Sequence, residues 1–197
     1  MTDPHTARPA LDPGWVGVGA GLLYAAMVCW ERIGDFRLGD PGAHVAVEQT
    51  LIVLAMLGHA VLAVGLYRDR PGGDGPVARV WPLFLAAGWV LLAAAVPVEA
   101  LTSVAAEENP LNPAGGLAQQ LGLLGLGVTV LTARRWTGWR RWFPLPFALA
   151  TVLVVVVAVV TDAWPAAVLE VAAALGYSVL GWALVTGRRS RTAVPVG

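Results

Sequence analysis

The chain has 197 residues, 57% hydrophobic and only 13% charged, and its 13 basic residues balance its 13 acidic ones. A water-soluble domain carries about 25% charged residues, so this composition excludes an ordinary soluble enzyme and places the chain among membrane proteins. Zero net charge leaves no global field to attract nucleic acid, and the single cysteine, Cys29, excludes an internal disulfide, a thiol relay and a multi-cysteine metal site.

Residues 1–14, MTDPHTARPALDPG, are polar and lack the basic start of a signal peptide. A disordered cytoplasmic N-terminus is expected there. A helix crosses a ~30 Å hydrocarbon core with about 20 apolar residues. The runs 15–31, 45–66, 80–103, 115–133, 144–161 and 164–186 approach or meet that length. Trp15, Trp30, Trp81, Trp142, Trp164 and Trp182 sit at or near their ends, where the amphipathic indole prefers the membrane interface. Backbone polar groups exposed to lipid are too costly for anything but helices or closed barrels, and runs this long are not barrel strands. The expected fold is all-α, a polytopic bundle of six transmembrane helices over 15–186, with a mobile cytoplasmic tail over 187–197.

The first helix carries Gly17, Gly21 and Ala25 at intervals of four. Such a small-residue face allows close backbone approach, either to a neighbouring helix of the chain or to a membrane-protein partner. The loop after Glu31 repeats a unit, Arg32-Ile-Gly-Asp35 and Arg37-Leu-Gly-Asp40. Gly-Asp favours tight turns, and the alternating charges read as a self-paired turn or a lid. In the second helix, Glu48, Ala55 and His59 share one stripe at 100° per residue. His5 and His44 cannot reach the depth of His59, so neither a bis-histidine haem site nor a three-histidine zinc site is expected, and no cofactor is implied. The third helix opens with Arg79-Val-Trp-Pro-Leu-Phe and ends near Glu99, with Pro97 placed to kink it. The fourth carries Ala118 and Gly122 beside Gln119 and Gln120.

Between the fourth and fifth helices, Arg134, Arg135, Arg140 and Arg141 interleave with tryptophans. That pattern suits anionic lipid headgroups, at ~1 kcal/mol per basic residue near the surface. The fifth helix opens with Arg141-Trp-Phe-Pro-Leu-Pro-Phe, echoing the third, and ends at Asp162. In the sixth, Glu170, Tyr177 and Gly181 share a stripe. Each odd helix thus finishes on an acid and each even helix carries polar groups early, a pattern of three repeated helical hairpins. All basic residues are arginines. With the N-terminus in the cytoplasm, eleven fall on the inner side and only Arg32 and Arg37 on the outer. This bias predicts a plasma-membrane protein with both termini cytoplasmic.

Glu31, Glu48, Glu99, Asp162 and Glu170 therefore gather toward the outer face. Acids at that depth turn toward the bundle interior or water rather than lipid tails. With Tyr177 and His59 they outline an acidic ligand pocket open to the outer leaflet. Three functions fit. One is a small-molecule binding or transport component, the size of a membrane subunit that relies on an external ATPase. Another is an enzyme that protonates a lipid or isoprenoid, in chemistry of the terpene-cyclase type, with Glu31, Glu48 and Glu170 as the candidate acids. The third is an accessory or regulatory subunit without catalysis. The chain carries no Walker motif, G-x-S-x-G, HExxH or C-x-x-C.

Overall fold

Proline marks where most of the helices start. In a computed structural model, which describes residues 11–33, 41–160 and 164–192, the elements are α1 (Pro13–Ile33), α2 (Pro41–Asp69), α3 (Pro76–Thr102), α4 (Leu111–Ala133), the short α5 (Trp139–Trp142), α6 (Pro144–Val160) and α7 (Trp164–Thr192). Four of them begin on a proline, whose missing N–H and fixed φ suit the first helical position. Arg70, Ser103 and Arg134 end α2, α3 and α4 in the left-handed conformation, with φ of 52°, 55° and 56°. Each turns the chain sharply out of its helix.

The described residues contain only helices, turns and loops. Five helices are long and apolar enough to cross a membrane: Pro13–Trp30, Val45–Asp69, Pro76–Thr102, Leu111–Ala133 and Val168–Arg188. The fifth of the six expected spans is different. α6 has 17 residues, about 25 Å at 1.5 Å per residue, short of a ~30 Å hydrocarbon core. Leu22, Leu54, Leu83, Phe84, Leu117, Leu153 and Trp182 are among the large apolar side chains exposed on the outside of the bundle. So much outward apolar surface fits lipid rather than water.

The six long helices form a ring in chain order. Each packs on its neighbours, α1 on α2, α2 on α3, α3 on α4, α4 on α6 and α6 on α7, and α7 closes the ring against α1. Glycine makes the tightest of these contacts possible. A β-carbon added at Gly88 of α3 would lie 2.5 Å from the Gln119 nitrogen and 2.7 Å from the Gly115 carbonyl oxygen of α4. On α1, Gly17 abuts Leu62 of α2, and Gly21 abuts Ala174 and Ser178 of α7. Ala25 is buried on the same helix. The small-residue face of α1 is therefore occupied by helices of its own chain. The Ser178 hydroxyl adds a 3.0 Å hydrogen bond to the Val18 carbonyl across this seam.

One end of the ring gathers the arginines. Arg188 of α7 lies 3.2 Å from Asp12, just before α1, and 3.6 Å from Asp69 at the end of α2. Asp74, in the α2–α3 turn, pairs with Arg70 at 3.1 Å and with Arg135 beyond α4. The Arg135 and Arg70 guanidiniums hold the Asp74 carboxyl below its ordinary range. These contacts tie the start of α1 to the ends of α2, α4 and α7, so successive helices run up and down.

Close backbone approach makes a direct stability test. Gly88→Ala should destabilise the bundle by about 1–3 kcal/mol, since overpacking forces backbone shifts. Gly116→Ala, where nothing lies within 4 Å of the added carbon, should leave the thermal unfolding midpoint in detergent unchanged. Equal midpoints for the two variants would contradict the α3–α4 packing.

Candidate functional site

The ring is packed solid in one half and hollow in the other. Toward the arginine end, Leu62, Leu66, Leu85, Leu123, Leu126, Val130, Leu180 and Leu184 fill the interior and are almost wholly buried. Trp136, beyond α4, is buried beside them and closes that end. Away from the arginines, the same helix faces change from leucine to aromatic and polar residues. They surround a cavity of about 330 Å³.

Every helix of the ring contributes to its wall. α1 supplies Tyr24, α2 Met56 and His59, and α3 Trp89 and Leu92. From α4 come Gln119 and Gln120, and from α6 Thr151, Val154 and Val155. Glu170, Ala173, Ala174 and Tyr177 of α7 complete it. The α7 residues follow the i, i+3, i+4, i+7 spacing of one helix stripe. Val155 is 49% exposed, so the cavity reaches the outside of the bundle beside α6, whose contact with α7 is the slightest in the ring.

The floor is an aromatic cluster. The His59 ring stacks on Trp89 at 4.4 Å between centroids with 24° between planes, and Tyr177 lies 4.7 Å away on the tilt. Trp89 and Tyr177 meet edge to face at 5.1 Å, and Tyr24 closes on Trp89 at 6.4 Å. Two hydrogen bonds brace the polar side chains. Gln119 donates from Nε2 to the Tyr177 hydroxyl at 2.8 Å, joining α4 to α7. Thr151 donates to Gln120 Oε1 at 3.0 Å, joining α6 to α4. Bonds of this kind inside membranes are worth about 0.6 kcal/mol on average. His59 is 1% exposed, yet neither ring nitrogen has a hydrogen-bond partner among the described residues. A buried polar group left unpaired costs about 1–3 kcal/mol, so this cluster departs from what stability alone would select.

The sequence-predicted residues separate into distinct groups. Glu170, Tyr177 and His59 meet at the cavity. Glu48 does not line it and makes contacts elsewhere. Glu99 accepts hydrogen bonds from Asn109 Nδ2 at 3.0 Å and Asn112 Nδ2 at 2.7 Å, so it braces the α3–α4 loop. Asn109 also donates to the Ala95 carbonyl at 3.3 Å, two residues before Pro97. The side chain of Glu31, the loop unit from Arg32 to Asp40, and Asp162 lie outside the described residues. Among the described residues, the pocket lining is aromatic and polar and includes one carboxylate, Glu170. Among the described residues, no group of His, Cys, Asp and Glu could hold a metal ion.

The arginine segment is likewise only partly free. Arg135 pairs with Asp74, and Arg141 donates from Nε to the Leu131 carbonyl at 3.1 Å while its guanidinium lies 5.2 Å from the Trp142 ring. Arg140 reaches Thr137 at 3.3 Å. Arg134, Trp139 and Trp142 face outward. Sequence reasoning missed Tyr24, Trp89 and Thr151. A signal was present: Tyr24 and Trp89 lie well inside their spans, away from the interface that aromatic residues with a polar atom prefer.

No known family model, curated protein or solved structure matches this chain.

The unpaired imidazole gives this site its own test. His59→Phe removes two unsatisfied nitrogens and keeps an aromatic ring. It should raise the thermal unfolding midpoint in detergent, by an amount equivalent to about 1 kcal/mol. A lowered midpoint would mean that the His59 nitrogens are bonded in the native protein.

Proposed function

We propose that this protein binds a small molecule in the hollow half of its helix ring, as a membrane capture or transport component. One observation carries the reading: all six helices turn aromatic or polar side chains toward a single cavity, at the same level, where a packed core would otherwise continue. A pocket that is mostly apolar, with a few convergent polar groups, is the usual form of a small-molecule site.

The cavity is blind. Leucines and Trp136 seal it toward the arginine end, so capture is favoured over a continuous channel. Acid catalysis by several carboxylates is less well supported, because Glu48 is not on the wall and Glu170 is. In this reading the chain crosses the plasma membrane six times as three hairpins, α1–α2, α3–α4 and α6–α7. α6 is accommodated by local thinning or tilt. The arginine end lies in the cytoplasm with both termini, following the positive-inside bias, and the cavity opens toward the outer leaflet. Arg134, Trp139 and Trp142 rest against anionic headgroups there on the inner face. A partner that completes transport would have to dock outside the α1 glycine face, which the chain itself covers.

Native mass spectrometry of the protein released from its own membranes tests the proposal. The wild type should retain a bound small molecule or lipid that survives gentle activation. Ala173→Phe, which fills the cavity from α7, should remove it at unchanged helical content. An adduct pattern identical in the two proteins would contradict a ligand site in the ring.

A further inference from the structure

We propose that the cavity selects an organic cation, with an ammonium head at Glu170 and an apolar or aromatic body against Trp89 and Tyr177. This rests on the reading of the cavity as a binding site and adds the chemical class of its ligand. Three observations carry it.

The first is charge. Among the described residues, Glu170 has no hydrogen-bond or ion-pair partner and the cavity wall carries no arginine or lysine. A carboxylate at the edge of a mostly apolar space attracts an opposite charge more strongly than one surrounded by water. The second is the walls. Trp89, Tyr24 and Tyr177 bring aromatic surface to the same space, on which the apolar or aryl body of a ligand packs. The third is length. Glu170 and Tyr177 are seven residues apart on one stripe of α7, about 10 Å along the axis. A molecule that puts its charge at Glu170 therefore reaches the aromatic floor with a body the size of one substituted ring. Among the described residues, no cation on the wall would offset the repulsion between Glu170 and an anion.

Benzyltrimethylammonium and its uncharged carbon isostere, neopentylbenzene, separate charge recognition from apolar filling. Binding is measured by equilibrium partition to the full chain in phosphatidylcholine nanodiscs, with protein-free nanodiscs subtracted. The ammonium is expected to bind saturably and at least tenfold more tightly than the isostere. Glu170→Gln should reduce that preference to within twofold. Glu170→Asp should keep most of it, and Glu48→Gln, off the wall, should keep all of it. Equal binding of the two probes to the wild type would overturn the cation assignment. So would a preference that survives Glu170→Gln, or the absence of any saturable binding of the ammonium. Since the wild-type comparison needs no variant, a misfolded mutant cannot mask the outcome. Retained adducts lost in Ala173→Phe, together with no charge preference, would leave a ligand site standing while removing its cationic specificity.

Discussion

Helices in lipid have no hydrophobic drive to associate, because the solvent is as apolar as they are. What holds this ring together is backbone contact at glycine. Gly14, Gly17 and Gly21 of α1 meet α2 and α7, Gly181 of α7 meets the backbone of α1, and Gly88, Gly115 and Gly122 join α3 to α4. At these points helix approaches helix with little side chain between, and dispersion contacts accumulate. The α1–α7 seam matters most, since it joins the first long helix to the last. Without it the six helices would be an open row, and no enclosed volume would exist.

A closed ring of six helices has more interior than its side chains can fill by default, and the chain treats the two halves differently. Toward the arginines it uses leucine, valine and Trp136, which pack to nearly complete burial. Toward the other end the positions on the same faces become Tyr24, His59, Trp89, Gln119, Thr151 and Glu170. The aromatic cluster of His59, Trp89 and Tyr177 marks the border. Those rings form a rigid floor, while the slighter contact between α6 and α7 leaves a side of the cavity near lipid. Leucine packing is thus concentrated in one half of the bundle and the polar wall of the cavity in the other.

Much of the architecture was legible from residue pattern alone. Long apolar runs, interfacial tryptophans and the distribution of arginine locate α1, α2, α3, α4 and α7 within a few residues of their bounds. The starts shift earlier to prolines 13, 41 and 76 because proline is tolerated in the first turn, where its absent N–H has no intrahelical role. α6 fell short because its apolar run, Pro144–Val160, is itself brief, and hydropathy cannot say whether a bilayer adapts to it. The site was harder. Acids cluster in sequence near the outer ends, but helix rotation decides which of them turns inward. Glu170 does, whereas Glu99 is held by Asn109 and Asn112 in its own loop. The small-residue face of α1 turns to α2 and α7, and sequence spacing does not reveal which helix fills it. His59 could be placed on a stripe, while its stacking on Trp89 depends on two helices meeting at one height, which no local pattern encodes.

Closure of the ring at α1 and α7 is the claim from which the cavity follows, and cysteine cross-linking in native membranes reads it directly. The Trp15 and Trp182 rings meet edge to face at 5.4 Å between centroids across the α1–α7 seam, so cysteines at these positions lie within reach of a short bismaleimide. In a Cys29→Ala background, Trp15→Cys with Trp182→Cys should be joined rapidly within one chain, with a mobility on a denaturing gel that is independent of protein concentration in the membrane. Crosslinks formed only between chains, or none where each cysteine alone remains reactive to thiol reagent, would show that the first and last helices do not meet and that the ring is open.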